Sequence, residues 1–270
     1  MPSIESALFD IRGLDRFAAQ DSVIHRRDPR AKVITTLAFI VAVVSFDKYD
    51  LSGLMPFFLY PVALIAAGNL PPGYLLGKIL AVSPFALAIG AFNPFLDRAI
   101  VAEIGPVQLS GGWISYASIH VRFALTVSAA LILISTTGFD AVCQALARLK
   151  CPKVLTVQFM LLYRYLFVLT EEASRMVKAW TLRSVGRRKM PLRVFGSLAG
   201  QLLLRSLDRA QRVHMAMLSR GFDGEFRPIR PMRFGAADLL FVTVWTSYFV
   251  VARLYNLPHW LGQAVMGTFQ

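Results

Sequence analysis

The sequence has few acidic residues, few histidines and very little cysteine. Sixteen Asp and Glu stand against 29 Lys and Arg, which gives a formal net charge of +13 over 270 residues. The two cysteines, Cys143 and Cys151, form no C-x-x-C pair, and the four histidines are scattered, so the usual zinc-site spacings are excluded. The nearest match to a Walker A loop, GYLLGK at 73–78, is one residue short and is followed by Ile79, so a phosphate-binding loop is excluded too.

Long apolar runs are what the chain has instead. Hydrophobic residues make up 56% of the sequence, which is too apolar for an ordinary soluble domain. No stretch alternates like a strand. The sequence therefore predicts an all-α polytopic membrane protein with about five transmembrane helices and a cytoplasmic coupling domain of amphipathic helices. The five runs cover residues 31–46, 51–68, 79–96, 113–138 and 234–254.

Basic residues indicate how the chain is oriented. Eighteen Lys and Arg, against six acids, lie between Asp140 and Arg233. The positive-inside rule then places the N-terminus and this segment in the cytoplasm and the C-terminus outside. The predicted organisation is 1–138 for the N-terminal segment and first four helices, 139–233 for the cytoplasmic coupling helices, and 234–270 for the last helix and tail.

Three local features refine this organisation. Val154–Thr170 is interpreted as a helix that lies at the interface or packs under the bundle, because Arg164 lies in its middle and a sixth crossing would export a basic cluster. Asp28 is predicted to cap the first helix, with Pro29 at its first position, and the nearby cations are expected at the cytoplasmic headgroups. These cations are Arg26, Arg27, Arg30 and Lys32. Arg122 is expected to reach the outer headgroups, and Asn93 with Pro94 to mark a helix break.

The basic segment contains two amphipathic helices with similar ends. One runs through 192–220 and has Gly221 in the position of a C-cap glycine; the earlier one has Gly186 as its breaker. The candidate site residues are the two triplets at these ends: Leu182, Arg183 and Ser184, and Ser219, Arg220 and Gly221. The apolar stripe predicted for 192–220 consists of Phe195, Ala199, Leu202, Leu203, Leu207, Ala210, Val213 and Met217. In the plainer interpretation, the two arginines are helix-end cations favoured by the helix dipole and the anionic leaflet.

The two triplets resemble the paired Ala-Arg-Ser and Ala-Arg-Gly motifs of T components, the transmembrane subunits of energy-coupling-factor (ECF) transporters, a class of ABC importer. HRRDPRAK near the N-terminus, FNPFLDR in the third run and SRGFDGEF at 219–226 are similar to the CbiQ branch, which serves cobalt or nickel uptake. The resemblance covers nearly the whole chain in the same order. Leu182 and Ser219 depart from it, because alanine is usual at both positions.

The resemblance implies a non-catalytic subunit of the inner membrane that has no cofactor and no metal site of its own. Its cytoplasmic helices would dock in grooves of two ABC ATPase subunits, with Arg183 and Arg220 as the residues that enter the grooves. When the ATPase subunits close, the helices would transmit that movement to a separate CbiM-like substrate-binding membrane subunit. The cargo could be cobalt or nickel, in support of cobalamin biosynthesis, or another micronutrient such as a vitamin.

Other classes of function need different features. A membrane-anchored enzyme would need convergent carboxylates or histidines, whereas 140–233 offers only His214 and isolated acids. A nucleic-acid binder would need aromatic platforms beside its cations, and no such series is evident. A membrane-anchored protein whose basic domain binds anionic lipid is the remaining alternative.

Overall fold

The computed structural model describes residues 13, 15–93, 100–104, 107–184, 190–224, 226, 232 and 234–255. Within these residues the chain is predominantly helical, which confirms the predicted all-α class. A 3-10 helix, Ser52–Phe58, leads directly into the second α-helix. The α-helices are α1 Pro29–Val44, α2 Leu59–Gly68, α3 Pro72–Gly90, α4 Gly111–Thr137, α5 Phe139–Arg148, α6 Lys153–Arg183, α7 Leu192–Ser219 and α8 Ala236–Leu254.

One short hairpin adds to the helices. Strands β1, Ile100–Ile104, and β2, Val107–Ser110, pair antiparallel between α3 and α4, with Ile104 opposite Val107 and Ile100 opposite Ser110. The sequence-based prediction of no strand is therefore wrong for this loop. Strands of five and four residues are too short to give a clear period-two pattern.

Among the residues that the structure describes, four helices are long and apolar enough to cross a membrane by length and composition: α3, α4, α6 and α8. Ser52–Gly68 is a shorter apolar helix, and α1 has 16 residues, or about 24 Å of helix. These helices make the chain a multi-pass membrane protein. The segment interpreted as interfacial, Val154–Thr170, lies inside the continuous 31-residue helix α6. Its position at the interface stays a prediction.

The chain divides into two compact units. The α1 unit comprises Arg16–Gly138 with Met232–Gln270, and the α6–α7 unit comprises Met1–Asp15 with Phe139–Pro231. The placement of 139–233 in the cytoplasm stays a prediction, as does the three-part division made from the sequence.

Aromatic side chains form the centre of the α1 unit. Phe39 of α1 stacks on Tyr60 of α2 with 4.6 Å between ring centroids, and the ring of Phe249 in α8 lies 5.4 Å from that of Phe39. Phe57 lies 5.9 Å from Phe39. All four side chains are buried, so α1 is held between α2 and α8 by one continuous aromatic cluster.

At the start of α1, the predicted helix cap is present, but one of the predicted headgroup cations is buried. Asp28 caps the helix as expected, because its Oδ1 accepts from the Arg30 backbone N–H at 2.8 Å, and Pro29 follows at the first position. Lys32 was expected at the headgroups but is only 4% exposed, and its Nζ donates to the backbone carbonyl of Thr136 at 2.8 Å. That prediction was wrong, because the acceptor lies about a hundred residues away in sequence and no local pattern reveals it.

At the other end of α1, two arginines bond to backbone carbonyls just beyond the helix. Arg253 of α8 donates to the Ser45 carbonyl at 2.9 Å, and Arg122 of α4 donates to the Asp47 carbonyl. Arg122 therefore contacts protein, where the sequence predicted headgroups. Helix α3 ends at Gly90, three residues before Asn93, whose side chain donates to Ser115 Oγ at 3.1 Å. Pro94, the other residue of the predicted break, lies outside the described residues.

Candidate functional site

The first candidate triplet lies at the C-terminal end of α6. Arg183 is the last residue of the helix, and Ser184 follows with its N–H bonded to the Thr181 carbonyl at 3.3 Å. Leu182 is 82% exposed, and Arg183 is exposed beside it. A large apolar side chain and a guanidinium thus project together from one helix end. Gly186, the predicted breaker, lies outside the described residues.

The second triplet lies at the C-terminal end of α7. Ser219 ends the helix, Arg220 is the C-cap, and Gly221 has a φ of +78°. The Gly221 N–H donates to the Leu218 carbonyl at 2.9 Å, and the Phe222 N–H donates to the Met217 carbonyl at 3.0 Å. This pair of bonds is a Schellman motif, which needs a left-handed residue where Gly221 stands, so the C-cap glycine predicted from the sequence is confirmed.

The carboxylate of Glu172 links α6 to α7 through bonds to two arginines. Glu172 accepts from Nη1 of Arg205 at 3.2 Å and from Nη2 of Arg209 at 3.1 Å. The spacing of four residues along α6 would also favour a pair between the neighbouring Glu171 and Arg175. Within the described residues the structure contains the Glu172 bonds and not that pair. Glu171 is exposed and Glu172 faces α7, so the position of α7 decides which of the two adjacent acids is used.

A basic groove of about 670 Å³ opens between α6 and α7. Four arginines line it against a single acid, Glu172, so the groove carries a net positive charge. Trp180 and Leu198 contribute apolar surface. The arginines are Arg175, Arg183, Arg205 and Arg209. Arg183 of the first triplet therefore belongs to a larger electropositive surface, which favours an acidic or anionic partner.

The apolar stripe predicted for α7 is only partly correct. Leu202, Val213 and Met217 are half-buried as expected, whereas Phe195 and Leu203 are each 60% exposed. The inward face uses Val194 and Leu198 in addition. No residue of α7 is fully buried. The helix is apolar on more than one side, so the sequence did not single out the face that contacts α6, and a second apolar face remains uncovered.

Among the described residues, no group of three or more His, Cys, Asp or Glu side chains could hold a metal ion. Each of the two triplets lies at an exposed helix end and carries a cationic side chain. Such a helix end is suited to contact with another macromolecule. The described part of the chain thus defines a helical, multi-pass membrane protein with an exposed cationic surface on its basic segment.

Comparison with known proteins identifies the family. The CbiQ family model, described as a cobalt transport protein, matches residues 20–232. The chain belongs to this family, and it is the transmembrane energy-coupling component, or T component, of an ECF transporter. ATPase partners are implied by that class.

The relatives agree over most of the chain. An uncharacterized protein of Methanocaldococcus jannaschii is 27% identical over 83% of this chain and 86% of its own length. The energy-coupling factor transporter transmembrane protein EcfT of Bacillus subtilis is 23% identical over 80% of this chain and 87% of its own length. A putative ABC transporter ATP-binding protein of Bifidobacterium longum is 25% identical over 84% of this chain and 31% of its own length.

Proposed function

We propose that this chain couples two ATPase subunits to a substrate-binding membrane subunit in an importer for cobalt or nickel, and that Arg183 and Arg220 are its two docking residues. The docking role of the two arginines is supported mainly by the similar geometry of the two triplets. Both arginines stand exposed at C-terminal helix ends, and neither has an acidic partner within the described residues. A guanidinium offers a planar set of donors that suits a carboxylate or carbonyl groups in a partner's groove.

The apolar neighbour of Arg183 supports the same proposal. Leu182 is almost fully exposed, and covering such a side chain gains about 1.5–3 kcal/mol. A contact that covers Leu182 would also bring the neighbouring guanidinium against the partner. At the second triplet, Gly221 adds no side-chain bulk, so a partner could approach the α7 end closely. The presence of a stretch similar to this chain inside an ATP-binding protein of Bifidobacterium longum supports the association with ATPases.

The cargo assignment has a separate basis. It follows from the description of the family as cobalt transport and from the resemblance of HRRDPRAK and SRGFDGEF to the cobalt and nickel branch. A CbiM-like subunit would bind the metal ion, and this chain would transmit force. The N-terminus and the 139–233 segment then face the cytoplasm of the cell, where ATP is available.

Co-purification tests the docking residues. The chain is expressed with its ATPase and substrate subunits, as wild type, Arg183→Ala, Arg220→Ala and the double variant. Each single change is expected to lower ATPase recovery by about tenfold or more, because truncation leaves partner groups unpaired. The double change is expected to reduce recovery to background, because two linked contacts reinforce each other.

Arg212→Ala is the matched control, since Arg212 is an exposed arginine on α7 outside both triplets and the groove. A double variant that recovers ATPase as well as this control would make Arg183 and Arg220 ordinary helix-end cations. Recovery on anionic vesicles in place of ATPase would favour the lipid-binding alternative. ATP-dependent uptake of radioactive cobalt(II) and nickel(II) tests the cargo independently, and uptake of neither metal by the wild-type complex would contradict that part.

A further inference from the structure

Residues 139–231, which make up the α6–α7 unit apart from residues 1–15, are inserted into the sequence of the α1 unit at two junctions, after Gly138 and before Met232. We call this stretch the inserted unit. Charged side chains at the start of α1 and α8 bond to the backbone beside both junctions. We call Asp28, Arg30, Lys32 and Asp238 the junction cluster. Asp28, Lys32 and Asp238 are buried, although charged side chains are rarely buried unless they are paired. Neither the aromatic core nor the docking triplets account for this cluster.

Lys32 bonds to the backbone beside the first junction, where the chain leaves the α1 unit after Gly138. Its Nζ donates to the carbonyl of Thr136, which lies in the last turn of α4, two residues before the chain leaves the unit. Carbonyls in the last turn of a helix have no partner within the helix, so the ammonium group satisfies one of them. The carboxylates of Asp28 and Asp238 supply opposite charge to Lys32.

Asp238 bonds to the backbone close to the second junction, where the chain returns to the α1 unit before Met232. It lies in the first turn of α8 and is 7% exposed. Its Oδ1 accepts from the backbone N–H of Asp28 and its Oδ2 from that of Gly235, both at 3.0 Å. Arg30 reaches the same junction, because its Nη2 donates to the Met232 carbonyl at 3.3 Å and its guanidinium lies 5.7 Å from the Phe234 ring.

A buried cluster of this kind is a weak source of stability, since apolar residues of similar volume often stabilise a protein as well or better. What hydrogen bonds add over apolar packing is a defined geometry. In this chain, the hydrogen bonds of the junction cluster hold the last turn of α4 and the first turn of α8 against the first turn of α1. If the inserted unit moves, a displacement at either junction is therefore delivered directly to α1.

We propose that Lys32 and Asp238 are positioning residues of the coupling step, which hold both junctions against the first turn of α1 so that movement of the inserted unit reaches the helices of the α1 unit. This inference rests on the proposed function for the direction in which force passes. The fixed distance between the α1 start and the α4 end does not depend on that function, and it can be measured in the chain alone.

The test uses spin labels at Val23, which is 66% exposed before α1, and at Ile134, in the last turns of α4. The backgrounds are wild type, Lys32→Met and Asp238→Asn, with Arg26→Met as the matched control. Arg26 is an exposed cation in the same segment whose side chain pairs with Asp21 at 2.7 Å. Distances are measured by pulsed electron paramagnetic resonance in the full chain alone, and then in complex with the ATPase subunits with and without ATP.

Wild type and Arg26→Met are expected to show one narrow distance under all conditions. In Lys32→Met and Asp238→Asn, a second distance that wild type lacks should appear, and its population should rise with ATP. In the assembled transporter, metal uptake per ATP should fall by about tenfold while ATP hydrolysis stays within about twofold. A purely structural role would lower the amount of complex and leave that ratio unchanged.

Distance distributions in both variants that match Arg26→Met would overturn the proposal. So would an unchanged ratio of uptake to ATP hydrolysis. If Lys32→Met fails to fold, Asp238→Asn decides by the same measurements, since asparagine keeps the volume and one acceptor oxygen. Failure of ATPases to co-purify with the wild-type chain would count against the proposed function, whereas the label distances in the chain alone would still decide for or against the junction cluster.

Discussion

The two units of this protein use apolar side chains differently. In the α1 unit, Phe39, Tyr60 and Phe249 are buried against one another in a continuous aromatic cluster. In the α6–α7 unit, α7 has no fully buried residue and presents Phe195, Leu203 and Leu207 to the outside. The α1 unit completes an aromatic core within the chain, and its helices also expose large apolar side chains such as Val41, Phe85 and Leu240, as a lipid-facing surface does. Helix α7 builds no such core and keeps apolar surface that its own unit does not cover, which is typical of a surface that another macromolecule occupies.

Replacing a phenylalanine in each unit should separate the two uses most clearly. Phe39→Ala removes a ring from the centre of the aromatic cluster and is expected to lower the free energy of unfolding by about 2 kcal/mol. The loss should be smaller than in a soluble core, because lipid also solvates the ring when the helices separate. Phe195→Ala should change it by less than about 0.5 kcal/mol.

Thermal or denaturant unfolding of both variants in the same detergent measures this difference. With ATPase subunits bound, we expect the order to change, since Phe195→Ala removes apolar surface from a face that a partner would cover. Equal losses of stability in the two variants of the isolated chain would contradict the distinction between a completed and an uncovered apolar surface.

Two glycines of the α6–α7 unit should respond in opposite directions to the same substitution. A Cβ at Gly221 or Gly196 meets nothing within 4 Å, so neither change causes a clash. Gly221→Ala forces alanine to a φ of +78° and should destabilise the α7 end by about 1 kcal/mol. Gly196→Ala lies inside α7 and should stabilise the helix by about 0.5–1 kcal/mol.

Amide hydrogen exchange along α7 reports both effects, with faster exchange in the last turn for Gly221→Ala and slower exchange around residue 196 for Gly196→Ala. Unchanged protection at the α7 end in Gly221→Ala would mean that the Schellman motif does not hold in solution.

The smallest expected effect concerns the two cysteines near the turn between α5 and α6. Burial, together with the nearby Asp140, raises the pKa of the Cys143 thiol to about 11, so little thiolate forms at neutral pH. Cys151 is half-buried in the turn itself. A maleimide should therefore label Cys151 at least about tenfold faster than Cys143. Cys151→Ser should remove the fast phase and Cys143→Ser the slow one; a fast phase that survives in Cys151→Ser would contradict the burial of Cys143.

Features that depend on neighbouring residues in sequence were predicted well. The apolar runs at 79–96, 113–138 and 234–254 correspond to α3, α4 and α8, because a span is a local property of about twenty residues. Asp28 and Gly221 were identified as caps for the same reason, since a cap involves only the next few residues. The two triplets were therefore located correctly at helix ends, although their docking role stays a prediction.

Features set by tertiary contacts were not predictable. Lys32 follows a run of basic residues, so its local sequence is typical of a headgroup lysine, yet its burial depends on Thr136 and Asp238, about 100 and 200 residues away. The choice of Glu172 over Glu171 depends on where α7 crosses α6. The apolar face that α7 turns toward α6 could not be selected either, because the helix is apolar on more than one side.

The bonds made by Arg30 and Lys32 also bear on how such a protein can change over time. Lys32 bonds to the backbone just before the inserted unit and Arg30 to the backbone just after it. The two ends of the insertion are thus attached to side chains only two residues apart. An insertion whose ends lie close together can be lengthened, shortened or exchanged without moving the rest of the fold. We therefore expect that residues 139–231 can vary in length and sequence with little effect on the helices of the α1 unit.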